Sequence, residues 1–270
     1  MSLKDLMVHL DQGERTAARL ELAVSLARQH QARLVGVFGQ RGQAQRVGVV
    51  ASWPSQEYSE ARDASKTAFE KATAGLPRAE WRDINRGSDA EVLRHVTDLA
   101  RHTDMVILGQ HDDRTKGYVP DDLIMEVIIN SGRPVLILPY AGNFTEIGKR
   151  PLIAWSDARE AAHALNDALS VIQGCEEAWL LSFAARPEEG DLSCVEAESH
   201  LAMHGIKTKT ETMVVQDFGI MDLLLNRVAD RGADLLVMGA HGHIGFPFIS
   251  RGAGTRHILQ HMTVPVLMSN

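Results

Sequence analysis

The sequence repeats itself. Thr103-Asp104-Met105-Val106-Ile107-Leu108-Gly109 and Ala233-Asp234-Leu235-Leu236-Val237-Met238-Gly239 carry one pattern 130 residues apart, and Arg133-Pro134-Val135-Leu136-Ile137-Leu138 returns 131 residues later as Val264-Pro265-Val266-Leu267-Met268-Ser269. A repeat constrains a fold more than any local motif, because what one copy forms the other must be able to form. Near the starts, Leu6–Leu10 corresponds to Leu152–Trp155 at an offset of about 145, so the first copy carries about fifteen extra residues. The stretch from Gln40 to Pro54 is their natural place, as an added loop.

Each copy alternates short apolar runs with helical patterns. In the first, strands are expected at Leu6–Leu10, Leu34–Phe38, Glu80–Asn85, Met105–Leu108 and Val135–Leu138, and helices at Glu14–Gln29, Tyr58–Ala74, Asp89–Arg101 and Asp122–Asn130. The second places strands near Leu152–Trp155, Ala178–Phe183, Lys207–Val214, Leu235–Met238 and Val264–Met268. Leu22 and Leu26, and then Leu165, Leu169 and Ile172, recur at helical spacing, while Asp89 and Asp217 mark helix starts. Five strands alternating with four helices predict a doubly wound parallel sheet, so the chain reads as two tandem five-stranded α/β units, residues 1–140 and 150–270. Pro139 to Pro151 is the only connector, and it is short and not rich in Gly and Ser. The units are therefore expected to pack together, as a compact two-unit monomer or in a homodimer of such chains.

A chain of 270 residues suits two domains of ordinary size. Its net charge of −7 and pI near 5.9 leave no global attraction for nucleic acid or an anionic membrane. The start, MSLKDLMVHLDQ, lacks the basic and long apolar segments of a signal peptide, and no run of apolar residues is long enough to span a bilayer. A cytoplasmic protein is expected. Cys175 and Cys194 match no metal spacing and form no disulfide framework, which agrees with a reducing compartment.

The chemistry concentrates after the fourth strand of the second copy. Gly239 and Gly242 stand three apart; Gly252 and Gly254 then open onto Thr255 and a helical pattern with Ile258 and Leu259. A strand, a glycine-bearing loop and a helix N-terminus bring unpaired N–H groups and a positive dipole end close to a ligand, which suits an anion such as a phosphate chain. The spacing is neither the Walker loop nor G-x-G-x-x-G. It resembles the ATP-binding signature of the universal stress protein family, carried here by Gly239, Gly242, Gly252 and Thr255 and followed by the Val264-Pro265-Val266-Leu267 strand.

That resemblance implies a tandem member of the family, with folds of the adenine-nucleotide alpha-hydrolase type. It further implies ATP or a related adenine nucleotide, with magnesium as a companion, in the C-terminal half. On the family pattern Phe183 lies by the adenine edge, Gly239 and Gly242 by the ribose and first phosphate, and Gly252, Ala253, Gly254 and Thr255 by the outer phosphates. Arg251 and His241 are placed to add charge-assisted contacts. The acidic residue the family carries after its first strand falls at Ser156 or Asp157, and Ala253 replaces the usual serine. The resemblance implies a stress-response sensor that acts on an unknown protein partner, rather than a fast enzyme. The alternatives are a relative that works by protein interaction alone, or a slow ATPase.

The first copy has lost this signature: Gly109 is followed by Gln110-His111-Asp112-Asp113, and the second glycine pair is replaced by Pro120-Asp121-Asp122. Carboxylates in that place repel phosphates, so this half is not expected to bind ATP. Asp11, in the position of the family's acid, reads as a cap or turn residue, and Asp112, Asp113, Asp121 and Asp122 as a solvated acidic loop rather than a cation site. His200/His204 and His257/His261 lie four apart on helix faces, but HLAMH lacks the glutamate of H-E-x-x-H and no third ligand can be named, so no metal is expected. His243-Ile244-Gly245 resembles the HIGH loop of class I aminoacyl-tRNA synthetases only in letters, since it follows the wrong strand. No Ser-His-Asp or Cys-His set can be drawn, and no catalytic residue is assigned.

Overall fold

The computed structural model describes residues 3–47, 50–112, 117–184, 192–215, 219–241 and 252–270. Packing divides the chain into two compact units between Val135 and Leu136. The N-terminal unit runs β1 (Asp5–Leu10), α1 (Thr16–His30), β2 (Arg33–Phe38), β3 (Gln45–Val47), β4 (Val50–Ser52), α2 (Gln56–Thr73), β5 (Ala79–Asp83), α3 (Asp89–Ala100), β6 (Met105–Gly109) and α4 (Leu123–Asn130). β7 (Val135–Leu138) straddles the division. The C-terminal unit continues with β8 (Pro151–Trp155), α5 (Arg159–Ile172), β9 (Ala178–Ala184), α6 (Leu192–Met203), β10 (Thr208–Val214), α7 (Ile220–Asp230), β11 (Leu235–Gly239), α8 (Ala253–His261) and β12 (Val266–Ser269).

In the C-terminal unit the strands lie in the order β10-β9-β8-β11-β12, every neighbour parallel. The chain winds outward from β8 to β10, then crosses back to β11 and on to β12. The order therefore reverses between β8 and β11, and a crevice opens at their carboxyl ends. The N-terminal unit repeats this plan with β6-β1-β2-β5, also parallel, and its reversal lies between β1 and β6.

Strands of this kind must be apolar on both faces, because helices cover both. Met105, Val106 and Ile107 in β6 and Leu235, Leu236 and Val237 in β11 are fully buried. The helix stripes read from the sequence meet them: Leu22 and Leu26 of α1 are buried, as are Leu165, Leu169 and Ile172 of α5. Boundaries shift by a residue or two. α3 follows Ser88, whose hydroxyl donates to Glu91 at 2.7 Å, so the cap sits one residue before Asp89. Asp217 lies outside the described residues; α7 begins after Gly219.

The extra residues of the first copy are more than a loop. They form an antiparallel hairpin, β3 against β4, and Trp53 just beyond it donates from its indole nitrogen to the Asn85 carbonyl at 3.0 Å. The Trp53 ring also lies against Tyr58 at 4.7 Å between centroids, which fastens the insertion to the start of α2. No helix among the described residues is long and apolar enough to cross a membrane.

Leu236 is wholly buried at the centre of β11. Leu236→Ala is expected to lower the unfolding free energy of the C-terminal unit by about 2–5 kcal/mol. Urea denaturation followed by circular dichroism checks this, and a loss under about 0.5 kcal/mol, as at a surface position, would deny β11 its central place.

Candidate functional site

At the β8/β11 reversal lies a cavity of about 130 Å³. Trp155 and Ser156 come from the end of β8, Phe183 from β9, and Gly239 and His241 from the end of β11. Ile220, Met221 and Leu224 of α7 form an apolar wall, and the first turn of α8 closes the far side with Gly252, Gly254 and Thr255.

Gly239 is explained by packing. A Cβ there would stand 2.6 Å from both the Ala161 nitrogen and the Glu160 carbonyl carbon, so the first turn of α5 can lie against the strand only because the side chain is missing. That contact brings Glu160 into the wall of the cavity, where it pairs with Arg159 at 3.5 Å.

Two features hold the loop ends together. The His241 N–H donates to Thr255 Oγ1 at 2.9 Å, joining the exit of β11 to the entry of α8. Thr255 is 3 % exposed; its oxygen accepts in this clasp and its own proton remains to be donated. Gly252 takes φ of +81°, and a Cβ on it would meet His241 Nδ1 at 2.6 Å; the imidazole rests where a side chain would be. As the N-cap of α8, Gly252 has no side-chain oxygen to offer, so the N–H donors of the first turn are not satisfied by their own cap.

Strand register sets the two acid-site candidates against the first copy. Leu6 stands opposite Met105 and Pro151 opposite Leu235, the matching residue of the repeat. The same step carries Leu10 onto Trp155 and Asp11 onto Ser156. Ser156 accordingly lines the cavity, whereas Asp157 is exposed and outside the lining. Ala253 opens α8 beside the lining residues, and Gly242 and Arg251 lie outside the described residues. Sequence reasoning missed Glu160 and the α7 wall.

The N-terminal unit treats the same position differently. Arg19, from α1, donates from Nη2 to Asp11 at 2.6 Å and from Nε to the His9 carbonyl at 2.7 Å. Its guanidinium fills the space beside Gly109, where a Cβ would fall 2.1 Å from Nη1. Asp11 also accepts from the Gly13 N–H at 2.5 Å and from the Thr16 hydroxyl at 2.9 Å, so it is a turn residue as read, and an ion-pair partner besides. His9 is 2 % exposed, and its Nε2 lies 2.6 Å from the Gly39 carbonyl, which can only accept. In the C-terminal copy the His9 and Asp11 positions are Ala154 and Ser156, and Ala161 of α5 lies against Gly239 where Arg19 lies against Gly109. The acidic stretch beyond β6 is partly neutralised as well: Arg41 reaches Asp121 at 3.3 Å and Asp89 at 2.8 Å, while Asp113 lies outside the described residues. Among the described residues no three His, Cys, Asp or Glu side chains are grouped to hold a metal.

The architecture and the placement of the cavity define a tandem α/β protein with doubly wound parallel sheets. Residues 153–270 match the model of the universal stress protein family. Solved structures extend the likeness of fold to the whole chain. A universal stress protein from Archaeoglobus fulgidus superposes with a TM-score of 0.71 at 14% identity, covering 98% of both chains. A candidate universal stress protein from Pseudomonas aeruginosa gives 0.61 at 14% identity, over 99% of this chain and 93% of that one. A functionally unknown protein from the same species gives 0.59 at 15%, over 99% and 92%. No curated protein matches the sequence.

Two outcomes follow from the geometry. Burial drives the His9 imidazole down to about 4, against the opposing pull of Asp11. For Asp11 burial acts upward, but the Arg19 guanidinium, with His9, Gly13 and Thr16, outweighs it and holds the carboxyl at about 2. Both groups bind protons more readily unfolded, so each costs stability on acidification: His9 as pH falls from its unfolded value near 6.5 to about 4, then Asp11 from about 4 to 2. The first step is expected to remove about 3 kcal/mol, measured by urea denaturation across pH, and His9→Gln should flatten that limb. Separately, Gly239→Ala is expected to cost about 1–3 kcal/mol by pushing α5 from β11. Calorimetric melting of the ligand-free protein checks this, and an unchanged transition would return Gly239 to a ligand role.

Proposed function

We propose that the C-terminal half binds ATP or a related adenine nucleotide, and that occupancy of this site regulates an unknown protein partner in the cytoplasm during the stress response. The supporting observation is the first turn of α8: its donors, lacking a side-chain cap, lie at the rim of an apolar cavity at the sheet's reversal point. A helix start in that setting is an anion site with a hydrophobic pocket attached. Phe183, Ile220 and Leu224 offer apolar surface to a base, and Ser156 a hydroxyl at the ribose. Ala253, Gly254 and Thr255 offer N–H groups to phosphates, with Gly242 and Arg251 contributing on the family pattern.

A volume of about 130 Å³ is less than the 300 Å³ at the low end for small-molecule pockets, so the cavity takes the base and the phosphates run along its open rim. Magnesium would travel with the phosphates, and Glu160 is the carboxylate of the lining nearest in kind to what it prefers. Units at 1–140 and 150–270 belong to this proposal, with one nucleotide per chain, because Arg19 occupies the N-terminal crevice.

Ala253→Asp tests the reading without threatening the fold, since an acidic residue in a first turn favours the helix while it repels a phosphate. Calorimetric titration with ATP and magnesium is expected to give one site per chain in the parent and at least tenfold weaker binding in the variant. Equal affinity in both would move the nucleotide elsewhere. No binding by the parent would favour interaction without nucleotide, which Ala253 and the loss of the acid at Ser156 support, and turnover above buffer background would make the protein a slow ATPase.

A further inference from the structure

We propose that the insertion between β2 and α2 builds a second small-molecule site, within the N-terminal unit, for a neutral polyhydroxyl compound of disaccharide size. The proposal is independent of the nucleotide reading, because it rests on residues the C-terminal half does not contribute. A cavity of about 560 Å³ lies between the chain leaving β2 and the start of α2. That volume falls within the range of small-molecule sites.

Its walls are rich in side-chain amides. Gln40, Gln43 and Gln45 line it from the β2 side, and Ser55 and Gln56 from the start of α2. Each amide sets a donor beside an acceptor, the arrangement that neighbouring hydroxyls can answer in both directions. Two are already oriented. Gln40, 2 % exposed, accepts from the Gln12 N–H at 2.9 Å and donates to the Gln12 side-chain oxygen at 3.0 Å, so it braces the wall rather than meeting the ligand. Gln56 donates to Glu60 at 2.8 Å, leaving its oxygen and a second N–H for a ligand. The Ser55 hydroxyl accepts from the Tyr58 N–H at 3.3 Å and keeps its proton to give.

The same walls argue against other ligand classes. Arg41 borders the cavity, but its Nε and Nη2 are held by Asp89 at 2.8 and 2.9 Å and by Asp121 at 3.3 Å, so its charge is already answered. Glu57 adds a negative charge. An anion therefore finds no spare cation here. A flat base would want an aromatic face, yet the Tyr58 ring is buried against Phe38 at 5.4 Å and Trp53 at 4.7 Å. Hydroxyl groups are what remain for amides and a serine to bind.

The test uses the full chain and saturation-transfer NMR with trehalose and maltose, and with adenosine and inorganic phosphate as counter-probes. At least one disaccharide is expected to receive saturation and to titrate to one per chain. Gln56→Ala should weaken it about fivefold, the loss of one neutral hydrogen bond, and Ala44→Trp, on the exposed insertion, should abolish it by filling the cavity. If Ala44→Trp lowers the melting temperature, Gln56→Ala alone decides. No transfer to either sugar, transfer unchanged in Gln56→Ala, or binding of adenosine or phosphate in place of the sugars would each overturn the proposal. ATP titration of both variants should be unchanged, which separates failure here from failure of the C-terminal site.

Discussion

A parallel sheet covered on both faces leaves a ligand only the ends of its strands. β6 and β11 are buried from both sides, and the helices that cover them supply the apolar surface that makes each unit stable. A ligand is therefore directed to the carboxyl edge, where strand order reverses and neighbouring connections part. The C-terminal cavity and the Arg19 network both sit at such a place, because the winding of the chain permits few others.

The two halves fill that place in opposite ways. In the first, a guanidinium and a carboxylate pair inside the protein beside an imidazole held by the Gly39 carbonyl, and the glycine after β6 makes room for the guanidinium. A crevice closed by its own ion pair is complete on folding. In the second, alanines stand in place of the arginine and histidine and a serine in place of the aspartate, so the space stays apolar and the donors of α8 border it. Gly109 and Gly239 are thus the same letter serving two contacts: a side chain in one unit, a helix backbone in the other.

Much of this was legible from spacing. The repeat, the alternation of strands and helices and the stripe on α5 rest on periodicities of two to four residues, and the structure keeps them within a residue or two. The glycines around α8 were visible for the same reason. Other features were not. The choice between Ser156 and Asp157 depends on which residue of β8 faces which residue of β11, a matter of register between segments far apart in sequence. The acids after β6 were read without Arg41, which reaches Asp121 from the segment after β2, and the insertion was read as a loop because its hairpin is short and Trp53 beside it is fastened to the distant Asn85.

By itself the sequence determined the class of fold, the duplication, and the half that keeps its glycines at a helix start, since these follow from local pattern. Only the tertiary structure decided that Thr255 joins the end of β11 to the start of α8, that Arg19 closes the N-terminal crevice, and that the segment after β2 lines a cavity with amides. The physical reason is that such contacts join residues whose separation along the chain carries no periodic signal; they exist only once the sheet has set its register and the helices have come to rest on it.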